Sequence, residues 1–453
     1  MTNSLGNEKI GELMIKFSIP AIISMLVSSL YNIVDQIFIG QGVGVLGNAA
    51  TNVAFPINTF CVALALLFGI GGASNFNISM GAKEYEKARG YLGNALSMLV
   101  ISGACLSIVV LTFLRPLLHM FGATELVMPY ALDYTGITAF GIPFLMLSIG
   151  SGHLIRADGS PKLSMICTLI GAIINTILDP LFIFGFGWGI KGAAVATVIG
   201  QVISGLLAIW YFSFKANIDV QKKHFKPVKK AIREMAGLGL ASSINQVAMA
   251  AVQIVMNNTL RHYGAISNYG AEIPLAVAGI ISKVNMVFMS ICVGISQGCQ
   301  PIWGFNYGAK NYERVINTYK RAAFICIIVG VIFFALFQLF PHQVVSIFGD
   351  GSDEYFKFAE RYLRIFMFFT FLNAIQPMSS GFFTSIGKAK LGAVVSLTRQ
   401  GLFLIPLILI FPIFFGVDGI LYAGPIADAV SAAIAILFAK KEIRRMNKLN
   451  VSA

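Results

Sequence analysis

The stretch GAKEYEK at Gly81–Lys87 returns as GAKNYER at Gly308–Arg314, identical at five of seven positions and closing on Arg instead of Lys. The offset of 227 carries Phe121-Gly122 onto Phe348-Gly349, and Gly189 and Gly192 onto Gly416 and Gly419. An offset of 228 carries Gly159 and Lys162 onto Gly387 and Lys390. Several matches in one register along the chain mark an internal duplication.

Apolar runs flank both copies. Of 453 residues, 57% are hydrophobic and 12% charged, with a mean hydropathy of +0.77. A soluble domain carries about 25% charged residues. This composition excludes a soluble enzyme, a disordered chain and a secreted disulfide scaffold. Windows of roughly 20 apolar residues, enough to cross about 30 Å of hydrocarbon, place twelve spans. The first six lie near 14–40, 50–79, 92–114, 128–155, 163–186 and 191–214. The others lie near 234–260, 274–304, 319–340, 358–384, 391–412 and 418–439. The expected fold is therefore all-α and integral to the membrane, with two pseudo-symmetric six-helix bundles around a central cleft. An N-lobe covers 1–218, a basic cytoplasmic connector 219–233, and a C-lobe with a basic tail 234–453. Six spans per half give both halves the same topology and set their symmetry axis along the membrane normal.

The basic residues orient the chain. With the N-terminus inside, 25 of the 33 Lys and Arg fall on the cytoplasmic side and only Arg115, Lys191 and Arg261 outside. This positive-inside bias explains the net charge of +13 without nucleic acid. It predicts a multi-pass protein of the cell (inner) membrane with both termini cytoplasmic. The connector's basic stretch, ANIDVQKKHFKPVKKAIR, reads as a cytoplasmic linker or as a lipid-headgroup surface. The polar first twelve residues lack a signal peptide's apolar centre. All six cysteines lie in apolar stretches without CxxC spacing, which points to packing and not to zinc or disulfides.

Ionisable residues inside spans are costly and mark function. They are Asp35, Asp179, Lys283, Arg399 and Asp428. Ser24, Ser28, Tyr31 and Asp35 share one face of the first helix, and Thr168, Ala172, Asn175 and Asp179 repeat that spacing in the fifth. If the faces meet, two carboxylates with amide and hydroxyl oxygens would hold a small hard cation or a shared proton. A second reading has Asp179, before Pro180, cap backbone freed at a proline kink. The matching face of the seventh span carries Gln246, Gln253 and Asn257, polar but uncharged. With Tyr31 and Asn32 these are the expected substrate-cleft residues. Lys283 and Arg399 would neutralise an acid such as Asp428 or snorkel to an interface. Most of the 37 Phe and 17 Met would face lipid or fill packing gaps. Cleft-facing members would bind flat or cationic compounds.

The chain resembles the multidrug and toxic compound extrusion (MATE) family, its bacterial drug-exporting branch above all. The resemblance rests on SIPAIISMLVSSLYNIVDQIFIG at Ser18–Gly40, the MGAKEYEKA loop and LIRADGSPKLSM at Leu154–Met165. It rests further on INTILDPLFIFGFGWGIKGAAVAT at Ile174–Thr197 and RQGLFLIP at Arg399–Pro406. In order, on twelve spans, they touch nearly the whole chain. The resemblance implies an N-lobe coupling-cation site of Asp35, Asn175, Asp179 and Thr197, with Tyr134 beside it; the first four would be metal ligands if the ion is Na⁺. Some relatives carry C-lobe carboxylates in the seventh and tenth spans, and the matching stretches here have none, which favours N-lobe coupling.

The resulting expectation is a secondary-active multidrug efflux antiporter working by alternating access. It would export amphipathic cationic organic compounds in exchange for H⁺ or Na⁺, with a role in antibiotic resistance and xenobiotic transport. No catalytic residues, cofactor or nucleic-acid partner is expected, only the coupling ion, small-molecule cations and membrane lipids around a functional monomer. No GxxxxGK[ST] loop for ATP is present. The alternative is a lipid-linked oligosaccharide flippase of the wider superfamily, which would want a basic cleft for diphosphate. A membrane enzyme or sensor would need a dyad, metal motif or appended soluble domain, and the sequence carries none.

Overall fold

The computed structural model describes residues 2–270, 272–348 and 351–451; the repeat position Gly349 lies outside them. Among the described residues every regular element is helical, the form that satisfies each backbone group inside hydrocarbon. We number the membrane crossings α1 to α12. The first six are α1 Ile10–Gly42, α2 Val45–Gly81, α3 Tyr85–Thr112, α4 Met128–Ala157, α5 Pro161–Pro180 and α6 Gly189–Phe214. The others are α7 Lys229–Ile266, α8 Glu272–Gly308, α9 Tyr312–Leu339, a three-piece α10, α11 Ala389–Phe415 and α12 Val417–Val451. Eleven of these are single helices long and apolar enough to cross a bilayer. The expected single tenth span is instead Asp353–Phe366, Thr370–Asn373 and Ile375–Ser385. Buried Thr370, Asn373 and Gln376 interrupt it. Thr370 Oγ1 donates to the Met367 carbonyl (2.5 Å), and Gln376 Nε2 donates to the Val395 and Ser396 carbonyls (2.6 and 3.0 Å).

The duplication extends to backbone conformation. Lys83 and Lys310 both take the left-handed region, at φ 63° and 58°. Each closes a helix through the same pair of bonds: Glu84 N to Ser79 O with Lys83 N to Met80 O, and Asn311 N to Asn306 O with Lys310 N to Tyr307 O. This is a Schellman C-cap with lysine where glycine is usual, and the sequence repeat had no means of showing it. Gly159 and Gly387 (86° and 81°), and Gly189 and Gly416 (54° and 60°), pair in the same way.

The halves meet along the side that carries both termini. A Cβ at Gly81 would lie 1.9 Å from the Phe305 carbonyl oxygen, and one at Gly308 would lie 2.0 Å from that of Ile78. A Cβ at Gly71 would lie 2.0 Å from Met235 O where α2 crosses α7, and one at its repeat mate Gly298 would lie 2.5 Å from Ser18 Cα where α8 crosses α1. Farther along, Ser29 and Ser290 share a 2.9 Å hydrogen bond. The helix Thr2–Asn7 lies over this seam, where the Leu5 carbonyl accepts from Asn306 Nδ2 (3.0 Å) and Arg314 Nη2 (3.2 Å).

The connector is strapped to α3 instead of hanging free. Asn94 Nδ2 donates to the His224 carbonyl (3.0 Å), Ser97 Oγ to that of Phe225 (2.7 Å), and Glu86 meets His224 (3.0 Å) and Lys223 (3.4 Å).

Candidate functional site

The site begins with a close helix crossing. Gly171 of α5 and Gly200 of α6 face each other so tightly that a Cβ on either would lie 2.9 or 2.8 Å from the other's carbonyl oxygen. That approach lets Asn175, one turn beyond Gly171, span the gap. With the amide oriented so that both neighbours are satisfied, its nitrogen donates to Asp179 Oδ2 at 3.2 Å and its carbonyl accepts from Thr197 N at 3.2 Å. Both Asn175 and Asp179 are buried. From α1, buried Asp35 brings its carboxyl within hydrogen-bonding reach of Asp179. From α4, the Tyr134 hydroxyl reaches Thr197, and its ring packs on the cluster of Ile39, Ile183 and Ala193. Tyr31 adds a second phenol beside both carboxylates.

Two carboxyls in mutual contact need a proton or a cation between them, because ionised carboxylates only accept. Asp35 Oδ1 is buried with no protein donor. The Asp179 carboxylate accepts from the Asn175 side chain and from no backbone N–H among the described residues, so the capping reading finds no bond here. Among the described residues no group of three or more His, Cys, Asp or Glu forms a metal cluster; the oxygens gathered are two carboxyls, an amide and hydroxyls.

Not every face residue joins the cluster. Thr168 and Ser24 spend their hydroxyls on the carbonyls of Ser164 (3.2 Å) and Pro20 (2.9 Å), four residues back. Gln201, one turn beyond Thr197 on α6, holds a buried Oε1 with no partner. Its i, i+4 spacing from Thr197 was the available signal for a further oxygen on this face. The cleft candidates lie on separate helices. Asn32 is exposed and donates to the Ser28 carbonyl (2.6 Å), Gln253 is exposed and donates to Asn257 Oδ1 (3.0 Å), and Gln246 is half-buried. In the second half, Arg399 pairs with Asp428 at 2.5 Å, both buried. Lys283 is exposed and makes no ion pair among the described residues.

The MatE family profile matches residues 20–181 and 263–410. The chain belongs to the MatE family. The family is one of membrane transporters, and the fold is that of MATE proteins, with twelve crossings. The multidrug export protein MepA of Staphylococcus haemolyticus (strain JCSC1435) is 28% identical over 426 residues, covering 93% of this chain and 92% of its own length. MepA of Staphylococcus aureus (strain MSSA476) is 29% identical over 437 residues, covering 94% and 92%. Among solved structures, a multidrug resistance MATE family transporter of the MOP superfamily in an outward-facing conformation superposes with a TM-score of 0.91. It is 24% identical and covers 98% of each chain. A MOP superfamily transporter from Pyrococcus furiosus gives 0.90, at 24% identity and 98% coverage of each chain. At that identity the likeness speaks for fold alone.

Proposed function

We propose that this MATE transporter is a secondary-active multidrug efflux antiporter of the cell membrane. It exports amphipathic, mostly cationic organic compounds in exchange for H⁺ or Na⁺. The single observation that supports this reading most is the pair Asp35 and Asp179, in contact, buried and joined through Asn175 to Thr197. An exchangeable ion is the natural occupant of such a pair. The MepA relatives, named as multidrug exporters, supply the substrate class.

The scheme runs by alternating access. Both termini lie in the cytoplasm, so the sealed seam at Gly81 and Gly308 closes the inner side. Ion binding between α1 and α5 repacks α1, which carries Pro20 within its length, and releases substrate outward. Substrate binding from inside reverses the preference. Each ligand does this only by favouring a different state of the two lobes. No cofactor besides the ion is required, and the monomer is the working unit.

The test is ethidium efflux from vesicles loaded with purified protein, with sodium and pH gradients imposed separately. Export driven by either gradient is expected, and the one that drives it names the ion. Efflux that follows neither gradient defeats the reading.

A further inference from the structure

Arg156 stands in the last turn of α4, buried at 6% exposure. Its guanidinium donates to Ser164 Oγ (3.0 Å), His153 Nδ1 (3.1 Å) and Gln297 Oε1 (3.0 Å). A guanidinium only donates, so His153 Nδ1 accepts, its proton sits on Nε2 and the ring is neutral. All three partners are therefore uncharged, and no carboxylate pairs with Arg156 among the described residues. The contrast with Arg399, held at 2.5 Å by Asp428, is plain. A buried cation without a counter-ion costs several kcal/mol. The α4 C-terminal carbonyls offset only a fraction, about half a charge spread over the helix end.

Beside Arg156 is a cavity with room for one water-sized body, lined by Ser74 and Asn77 of α2, His153 and Arg156 of α4, and Gln297 and Gln300 of α8. Hydroxyl, amide, imidazole N–H and guanidinium make a lining rich in donors and without a carboxylate. Asn77 is buried and its Oδ1 has no partner among the described residues. A second pocket of about 230 Å³ on the terminus-bearing side shares Asn77 and includes Arg89, whose Nε is buried without a partner. Its one carboxylate, Asp158, is already engaged by the Tyr211 hydroxyl and the Asn217 backbone N–H, both at 2.7 Å.

We propose that the Arg156 cavity is a binding site for a single halide-sized monovalent anion. The anion enters through the larger pocket and supplies the counter-charge Arg156 lacks. Because α2 and α4 belong to one lobe and α8 to the other, the bound anion also ties the lobes together on the sealed side.

The experiment compares purified protein in chloride with protein in gluconate, an anion too large for the cavity. Saturable binding of radioactive chloride is expected, with a rise of about 2 °C in thermal midpoint at saturating chloride. Arg156→Gln removes both responses. Gln297→Glu, which builds a carboxylate onto the atom Arg156 already contacts, removes them as well while keeping the protein monodisperse. It decides the matter if Arg156→Gln fails to fold. Asp35→Asn keeps the chloride response, so a failed coupling scheme and a failed anion site are separable. No saturable chloride binding, meaning water alone in the cavity, overturns the proposal. So does an undiminished response in Gln297→Glu.

Discussion

The two lobes share one fold and treat charge inside the membrane in opposite ways. In the first, Asp35 and Asp179 meet with no basic residue between them, and one Asp35 oxygen stays without a donor. In the second, Arg399 and Asp428 neutralise each other at 2.5 Å. These occupy the repeat positions of Gly171 and Gln201, where the first lobe has a close helix crossing and an unused amide oxygen. Asp35 itself is answered, at an offset of 222, by Asn257. Duplication thus supplied two copies of a scaffold, one closed by an internal ion pair and one whose two buried carboxyls have no basic partner among the described residues.

The largest expected effect comes from the first lobe. Asp35→Asn should lower gradient-driven ethidium export by about a hundredfold or more, since a charge needed for binding the driving ion is gone, while the protein stays folded and inserted. Gradient-driven export surviving in that variant would remove Asp35 from the coupling. Next comes the closed lobe. Asp428→Asn strands a buried Arg399 and should cost about 3–5 kcal/mol of stability, read as a lowered thermal midpoint. Replacing both, Arg399→Met with Asp428→Leu, should recover most of it, and a double variant no better than the single one would mean the pair is more than a staple.

Asp179→Asn should weaken ion dependence by about tenfold, the size of losing one charge-assisted contact of 1.4 kcal/mol or so; unchanged ion dependence would return Asp179 to a purely structural role. Gly71→Ala and Gly298→Ala sharpen the comparison from the other direction. Each puts a methyl into backbone across the seam and should destabilise the sealed state by about 1–3 kcal/mol. Cysteine cross-linking across the seam should report similar losses for the two. A large difference would show that the pseudo-symmetry of the seam is only geometric. The smallest effect is expected of Thr197→Val, about threefold in ion affinity for one hydroxyl.

Much of this was legible in the sequence. The twelve crossings followed from apolar length, because lipid leaves helices no alternative, and the duplication followed from GAKEYEK and GAKNYER. Helical spacing put Asp35 on one polar stripe of α1 and Asn175 and Asp179 on another of α5, and left open whether the two stripes meet. What stayed hidden depended on contacts between distant segments. The break in α10 comes from Gln376 bonding to carbonyls of α11, and the docking of the connector from Asn94 reaching back across the chain. Neither leaves a periodic trace. The face rule also overreached, since Thr168 and Ser24 satisfy their own helices. Nothing in the stretch LIRADGSPKLSM marks Arg156, because its burial and lack of an acid exist only once α2, α4 and α8 converge.

The pairing of Gly81 with Phe305 and of Gly308 with Ile78 maps onto itself under the 227-residue shift. Such self-complementarity is the signature of an isologous interface. Either half alone, with one glycine and one facing carbonyl at this turn, is geometrically complementary to a second copy of itself, so the joint between the halves is an interface folded into one chain.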